Sequence, residues 1–169
     1  RVEYGSTLSG DAFKRDRFDF MLANPPYGKS WKLDLEKLPA GNKQAGEKVN
    51  DPRFNVAHRG ETLSLATRSS DGQLMFLVNM LAKMKPVEES ARAAGQVTGS
   101  RIATIHNGSS IMTGDAGQGE SNIRRWVIEN DWLEAVIALP ENLFYNTGIA
   151  TYVWVLSNDK AEGRKGKVQ

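Results

Sequence analysis

Asn24-Pro25-Pro26-Tyr27 is the string of this sequence with the clearest capacity for chemistry. An aromatic amine, such as the 6-amino group of adenine, is a poor nucleophile because its lone pair is spread into the ring. Two acceptors that take its N–H bonds from a tetrahedral arrangement localise that lone pair for attack. The Asn24 side-chain oxygen is one such acceptor, and the Pro25 carbonyl, on a backbone stiffened by the proline ring, is the other. Pro26 stiffens the loop further, and the flat ring of Tyr27 suits stacking on a base taken out of a duplex. The plain structural alternative is a strand that ends in an Asn-Pro turn.

Whatever its chemistry, the string must be held by its surroundings. It follows Phe18-Asp19-Phe20-Met21-Leu22-Ala23, an apolar, aromatic run of strand length that two prolines stop. Asn24 and Tyr27 therefore sit on a stiff loop at the end of a strand, and open α/β sheets bind ligands at the carboxyl ends of their strands. Downstream, Leu74, Leu77, Val78, Leu81 and Met84 recur at helical spacing. Ser70 and Gln73 form a capping box ahead of them, and Pro86 closes the helix. Residues 87–100 read as a polar connector with room for one helical turn. Arg101 to His106 reads as a second strand, with His106 as a hydrogen-bonded structural residue. Asn107 to Gly119 reads as a Gly/Ser-rich closing segment in which Asn107-Gly108-Ser109-Ser110 is a turn or faces a ligand. A helix follows over Glu120–Asn130, where Arg124 and Arg125 face solvent or a phosphate. Leu133–Leu139 and Ile149–Leu156 are strands whose short link suits a hairpin. This order predicts an α/β sheet, mostly parallel with an antiparallel terminal hairpin. Residues 29–71 read as one long polar loop, a surface loop or a DNA-contacting one, and Lys160–Lys167 as a solvated basic tail.

Composition narrows the function classes. With 169 residues, 40% of them apolar, the chain can build one domain with a real core. A net charge of +2 argues neither for nor against nucleic acid, and the absence of cysteine excludes disulfides and thiolate metal sites. His58 and His106 are the only histidines and stand far apart, so no catalytic metal is expected. No apolar stretch is long enough to span a membrane, which points to a cytoplasmic protein.

Taken together, four blocks resemble one family. They are Gly5-Ser6-Thr7-Leu8, Asn24-Pro25-Pro26-Tyr27-Gly28, Gly119-Glu120-Ser121-Asn122-Ile123-Arg124-Arg125 and Leu139-Pro140-Glu141-Asn142-Leu143-Phe144-Tyr145-Asn146-Thr147-Gly148-Ile149. The chain resembles the modification subunit of type I restriction enzymes, an N6-adenine DNA methyltransferase family. The last block is the most specific, since Asn-Pro-Pro-Tyr also occurs in methyltransferases that modify protein glutamine. The resemblance implies a Rossmann-like sheet that uses S-adenosylmethionine to methylate adenine. It also implies double-stranded DNA, a DNA-specificity subunit and a restriction subunit as partners, with no membrane involved. By the same resemblance, Asn24 and Pro25 hold the amino group, Tyr27 stacks on the flipped base, and Asn24 also lies against the cofactor. Phe144 is either the second aromatic on the base's other face or a core residue at a strand entrance. Asp11 falls where the family has a polar contact to the cofactor's adenine.

The departure from the family pattern is also plain. The glycine-rich cofactor loop and the acidic ribose-binding position have no counterpart ahead of Asn24. Residues 1–169 therefore read as a partial catalytic domain, the C-terminal half of the family's sheet, inactive by itself, with an unpaired edge along Phe18–Ala23. The rival expectations are a protein-glutamine methyltransferase and a non-catalytic fragment that binds DNA or partners.

Overall fold

The computed structural model describes residues 2–145 and 148–169. Its main sheet has four strands, β1 (Phe20–Ala23), β4 (Arg101–Asn107), β5 (Leu133–Ala138) and β6 (Thr151–Ser157), in the order β1-β4-β6-β5. β1 and β4 run parallel, Ala23 lying beside Thr104, while β6 runs against both β4 and β5. Three strands thus share one direction. The expected hairpin of β5 and β6 forms, and β6 also inserts beside β4, so the antiparallel strand is internal to the sheet. β1 is an edge strand, as its sequence predicts, and its Phe20 and Leu22 are 70% and 83% exposed.

Alternation along the strands divides the sheet into two faces. Met21, Ile102, Thr104, His106, Trp154 and Leu156 are buried on one face, under helices α2 (Gln73–Leu81) and α5 (Gly119–Glu129). Phe76 is the only residue of α2 that is not buried. A helix apolar nearly all round needs cover on both sides. The second cover comes from the segment read as a loop: Thr67 N donates to Met75 Sδ and Arg53 Nη1 donates to Asn79 Oδ1, one helical turn apart.

The reading of residues 29–71 as one long loop is therefore corrected. The segment holds helix α1 (Lys32–Lys37), a 3₁₀ turn at Lys43–Ala45, and an antiparallel pair, β2 (Asn55–His58) with β3 (Glu61–Ser64). It buries Trp31, Val49, Phe54, Leu63 and Leu65 in the common core. The polar composition that suggested a loop belongs to its outer face.

Smaller elements complete the fold, α3 (Glu89–Ala93) as the expected single turn and α4 (Ser109–Met112) inside the expected turn region. Two basic groups read as solvated are engaged instead. Arg125 pairs with Glu61 at 2.7 Å, and Lys160, only 3% exposed, donates to Asp131 Oδ1 at 2.6 Å. Among the described residues, no helix is long and apolar enough to cross a membrane.

Candidate active site

β1, β4 and β5 point the same way, so the loops that follow them emerge at one edge of the sheet. The first carries Asn24 to Tyr27. Pro25 is buried against the sheet end and Asn24 is exposed, its side chain bonded to no other described residue. Tyr27 is half-buried, and Pro26 is exposed. The exposed Asn24 side chain and the buried Pro25 are thus neighbours on a loop whose backbone two prolines restrict.

The loop is held from behind. Gly28 adopts φ 67°, a left-handed conformation that costs a side-chain-bearing residue about 1–2 kcal/mol. From there the chain is laced to residues 68–72. Gly28 N donates to Asp71 Oδ1 at 3.2 Å, Ser30 Oγ and Trp31 N donate to the Ser69 carbonyl, and Trp31 Nε1 donates to the Arg68 carbonyl. In return, Gly72 N donates to the Lys29 carbonyl. Sequence reasoning placed the helix cap at Ser70, but the side chain that accepts from Gln73 N is Asp71. The acidic residue just ahead of an apolar helical run was the signal that went unused.

Phe144 lies in the link between β5 and β6, half-buried, at the same edge as Asn24. Three strand spacings of about 4.8 Å separate β1 from β5, and two separate it from β6. Phe144 is therefore at the same edge as Asn24, across a gap on the order of 10–14 Å at its base. Asn142, with φ 59°, turns the chain ahead of it, and Asn146 and Thr147 of the same motif lie outside the described residues.

Asp11 is not brought to this edge. Its Oδ2 accepts from Lys83 Nζ at 2.6 Å, its Oδ1 accepts from Phe13 N at 2.9 Å, and Arg53 approaches at 3.9 Å. Lys83 follows the far end of α2, where its carbonyl receives Phe18 N at the entrance to β1. The length of α2, at about 1.5 Å per residue, lies between Asp11 and the Asn24 loop. Burial raises the Asp11 carboxyl, but the Lys83 ammonium, with help from Phe13 N and Arg53, outweighs it and holds the group below its ordinary value. Asp11 fixes the chain ahead of β1, and the resemblance alone could not reveal that engagement.

His106 lies beneath the edge, fully buried and edge-on to Trp154 at 5.8 Å. Neither ring nitrogen has a hydrogen-bond partner among the described residues, which corrects the hydrogen-bonded role read from sequence. Burial lowers its pKa from 6.5 to about 4, against a small opposing pull from Asp71. The unfolded chain then binds more protons than the folded one between these values. Stability from this group is complete above about pH 6.5 and is lost as pH falls toward 4, by roughly 3 kcal/mol in all. Urea unfolding of the wild type and of His106→Leu at pH 7 and pH 4.5 checks this. The variant is expected to lose much less stability in acid than the wild type, and equal losses would contradict the buried neutral imidazole.

Among the described residues, no group of His, Asp and Glu is arranged to hold a metal ion. The edge carries Asn24, Tyr27 and Phe144.

The chain is similar in sequence and fold to known proteins. At 25% identity over 99% of the chain, the sequence is similar to the type I restriction enzyme MjaIX methylase subunit of Methanocaldococcus jannaschii. The MjaVII methylase subunit of the same organism is 28% identical over 99% of the chain. The chain spans about a quarter of the length of each, 25% and 24%. In fold it matches the crystal structure of a type I restriction-modification methyltransferase subunit from Streptococcus thermophilus, with TM-score 0.61 and 24% identity. That match covers 93% of this chain and 27% of the other. The sequence profile of the N-6 DNA methylase family matches residues 1–169. With its whole length matched by that profile, the chain belongs to the N-6 DNA methylase family.

Proposed function

We propose that this chain supplies the acceptor side of a DNA adenine N6-methyltransferase, the methylase subunit of a type I restriction-modification system. The observation that carries the reading is the exposed, unbonded Asn24 side chain beside the Pro25 carbonyl at the carboxyl edge of the sheet. A target adenine is extruded from double-stranded DNA and its amino group placed between these two acceptors. They take its N–H bonds and turn the nitrogen lone pair outward. Tyr27 covers one face of the base and Phe144 the other, each ring excluding water from the amine. The two prolines keep the acceptors from relaxing toward solvent, and after methylation the surplus proton on nitrogen passes to bulk water at the exposed rim of the loop.

S-adenosylmethionine would supply an electrophilic methyl group. Asn24 would lie against it, while the glycine loop and the acidic ribose partner of the family pattern have no counterpart ahead of Asn24 in this sequence. Asp11 is engaged by Lys83 and is not part of the contact set. A DNA-specificity subunit would select the site, consistent with the modest charge of +2 here, and a restriction subunit would complete the assembly.

The glutamine side-chain amide is the rival acceptor, because the same two oxygens can hold it. The intact methylase with its partners, offered labelled cofactor with adenine-containing duplex or with a glutamine-bearing protein, separates the two. Label in DNA alone is expected, and label in protein alone would overturn the reading.

Tyr27 provides a second check. Base stacking is worth about 1–3 kcal/mol. Tyr27→Ala is expected to lower capture of the extruded base by roughly tenfold or more, whereas Tyr27→Phe keeps most of it. Fluorescence of 2-aminopurine at the target position reports the capture. A Phe variant as weak as Ala would assign the work to the hydroxyl and remove the stacking role.

A further inference from the structure

Behind the Asn24 loop lies a polar cluster that the chemistry above does not use. Asp71 receives four donors. Gly28 N and Gln73 N donate to Oδ1, each at 3.2 Å, while Gln73 Nε2 at 2.7 Å and Ser109 Oγ at 3.0 Å donate to Oδ2. Gln73, 2% exposed, also donates from Nε2 to Asn107 Oδ1 at 2.7 Å, and its Oε1 accepts from Asn107 N at 3.1 Å. Ser109 Oγ shares its hydrogen with Asn107 Oδ1 at 2.6 Å. One carboxylate thus ties three places together: the residue after Tyr27, the start of α2, and the end of β4. A carboxylate is the one side chain of this size that accepts at both oxygens and donates from neither.

The geometry points to Asp71 as a positioning residue that sets the Asn24-Pro25-Pro26-Tyr27 loop against the carboxyl end of β4, with Gln73, Asn107 and Ser109 fixing the carboxylate. The inference rests on the reading of that loop as the amino-group site. Asp71 lies behind Gly28, and it acts through the register of the loop. Gly28 is the hinge through which it acts, because the left-handed turn there, φ 67°, directs the amide hydrogen at Asp71. Nothing else described fastens that amide. Substitution by Asn keeps the volume but replaces one acceptor oxygen with an amide donor, so the four donors can no longer all be accepted and the hold on the loop weakens. Displacement of reacting groups on the order of 1 Å costs up to about a hundredfold in rate.

The test uses the intact methylase with its partners and cognate duplex, comparing wild type with Asp71→Asn, Ser109→Ala, Ser109→Thr and Asn24→Ala. Asp71→Asn is expected to lower kcat by about 10- to 100-fold, with the KM for cofactor and the Kd for DNA within about twofold of wild type. Ser109→Ala should fall between the two, and Ser109→Thr, which keeps the hydroxyl, should restore turnover. The thermal midpoint of each variant is read alongside. A loss confined to KM, or one that follows the thermal midpoint, would assign Asp71 to stability alone and overturn the inference. So would wild-type kcat in Asp71→Asn. Should that variant fail to fold, the Ser109 pair decides, and equal turnover by Ala and Thr rejects the role. Wild-type turnover by Asn24→Ala would sink the reading of the loop itself and the inference with it. An inactive Asn24→Ala beside a fully active Asp71→Asn would sink the inference alone.

Discussion

Asn24→Ala in the intact methylase is expected to lower the rate of methyl transfer about a hundredfold while cofactor affinity stays within a few-fold. Removing one aligned acceptor from a developing charge costs about 3 kcal/mol of barrier, and about 1.4 kcal/mol is a factor of ten. The fold has little reason to respond, because the Asn24 side chain is exposed and bonded to no other described residue. The loss should therefore appear in kcat with an unchanged thermal midpoint. Single-turnover kinetics with saturating cofactor and DNA measure it directly. Turnover within threefold of wild type would remove Asn24 from the chemistry.

The largest expected effect on stability is at Gly119, where α5 begins. A Cβ built there lies 2.2 Å from the Ala66 carbonyl oxygen, 2.4 Å from its carbon and 2.7 Å from Thr67 N. All three are backbone atoms with no rotamer that could yield. Gly119→Ala must therefore push α5 away from residues 66–67, at a cost of about 3 kcal/mol by the measure of overpacked cores. For a protein of this size that is a fall of roughly 10 °C in thermal midpoint. Activity should drop as well, because the displaced segment continues into residues 68–72, which hold the Asn24 loop through Trp31 and Gly28. Glu120 stiffens that connection, its Oε1 accepting from Arg68 N at 3.1 Å. Thermal unfolding of Gly119→Ala checks the claim, and a midpoint within 2–3 °C of wild type, about 1 kcal/mol, would contradict it.

The elements that the sequence announced clearly were those whose pattern is local. The apolar spacing from Leu74 to Met84 became α2, which ends at Leu81, short of the expected stop at Pro86. The alternation from Arg101 to His106 became β4, and the aromatic run into Asn24 became β1. The β2–β3 pair was missed because its strands, Asn-Val-Ala-His and Glu-Thr-Leu-Ser, are short and mostly polar. Their turn, Arg59-Gly60, puts both residues at positive φ, 49° and 85°, without the Asn-Gly or Asp-Gly pair that usually marks such a turn. Its core contributors, Trp31, Val49, Phe54 and Leu65, follow no period, so their common burial against α2 is a tertiary fact. The insertion of β6 between β4 and β5 is of the same kind, since a hairpin of β5 and β6 is compatible with either strand lying beside β4.

For the proposed site, the sequence suggests the residue types, and the fold alone shows what supports them. Asn24, Pro25 and Tyr27 could be read from the chemistry an amine demands. Asp11 is an isolated carboxylate in the sequence, and only the fold reveals Lys83 closing on it from the far end of α2. Asp71, four donors and all, looked like one more polar residue of a supposed loop. His106 looked polar enough to require a partner, whereas its burial against Trp154 keeps it neutral instead.

The central claim is that the Asn24 loop presents an adenine amino group for methylation. Its most direct test is to react cognate duplex with the intact methylase and S-adenosylmethionine, digest the DNA to nucleosides, and identify the product by mass. N6-methyldeoxyadenosine formed by the wild type, and lost about a hundredfold with Asn24→Ala, is the expected result. DNA free of N6-methyldeoxyadenosine, or the same yield from both proteins, would contradict the account.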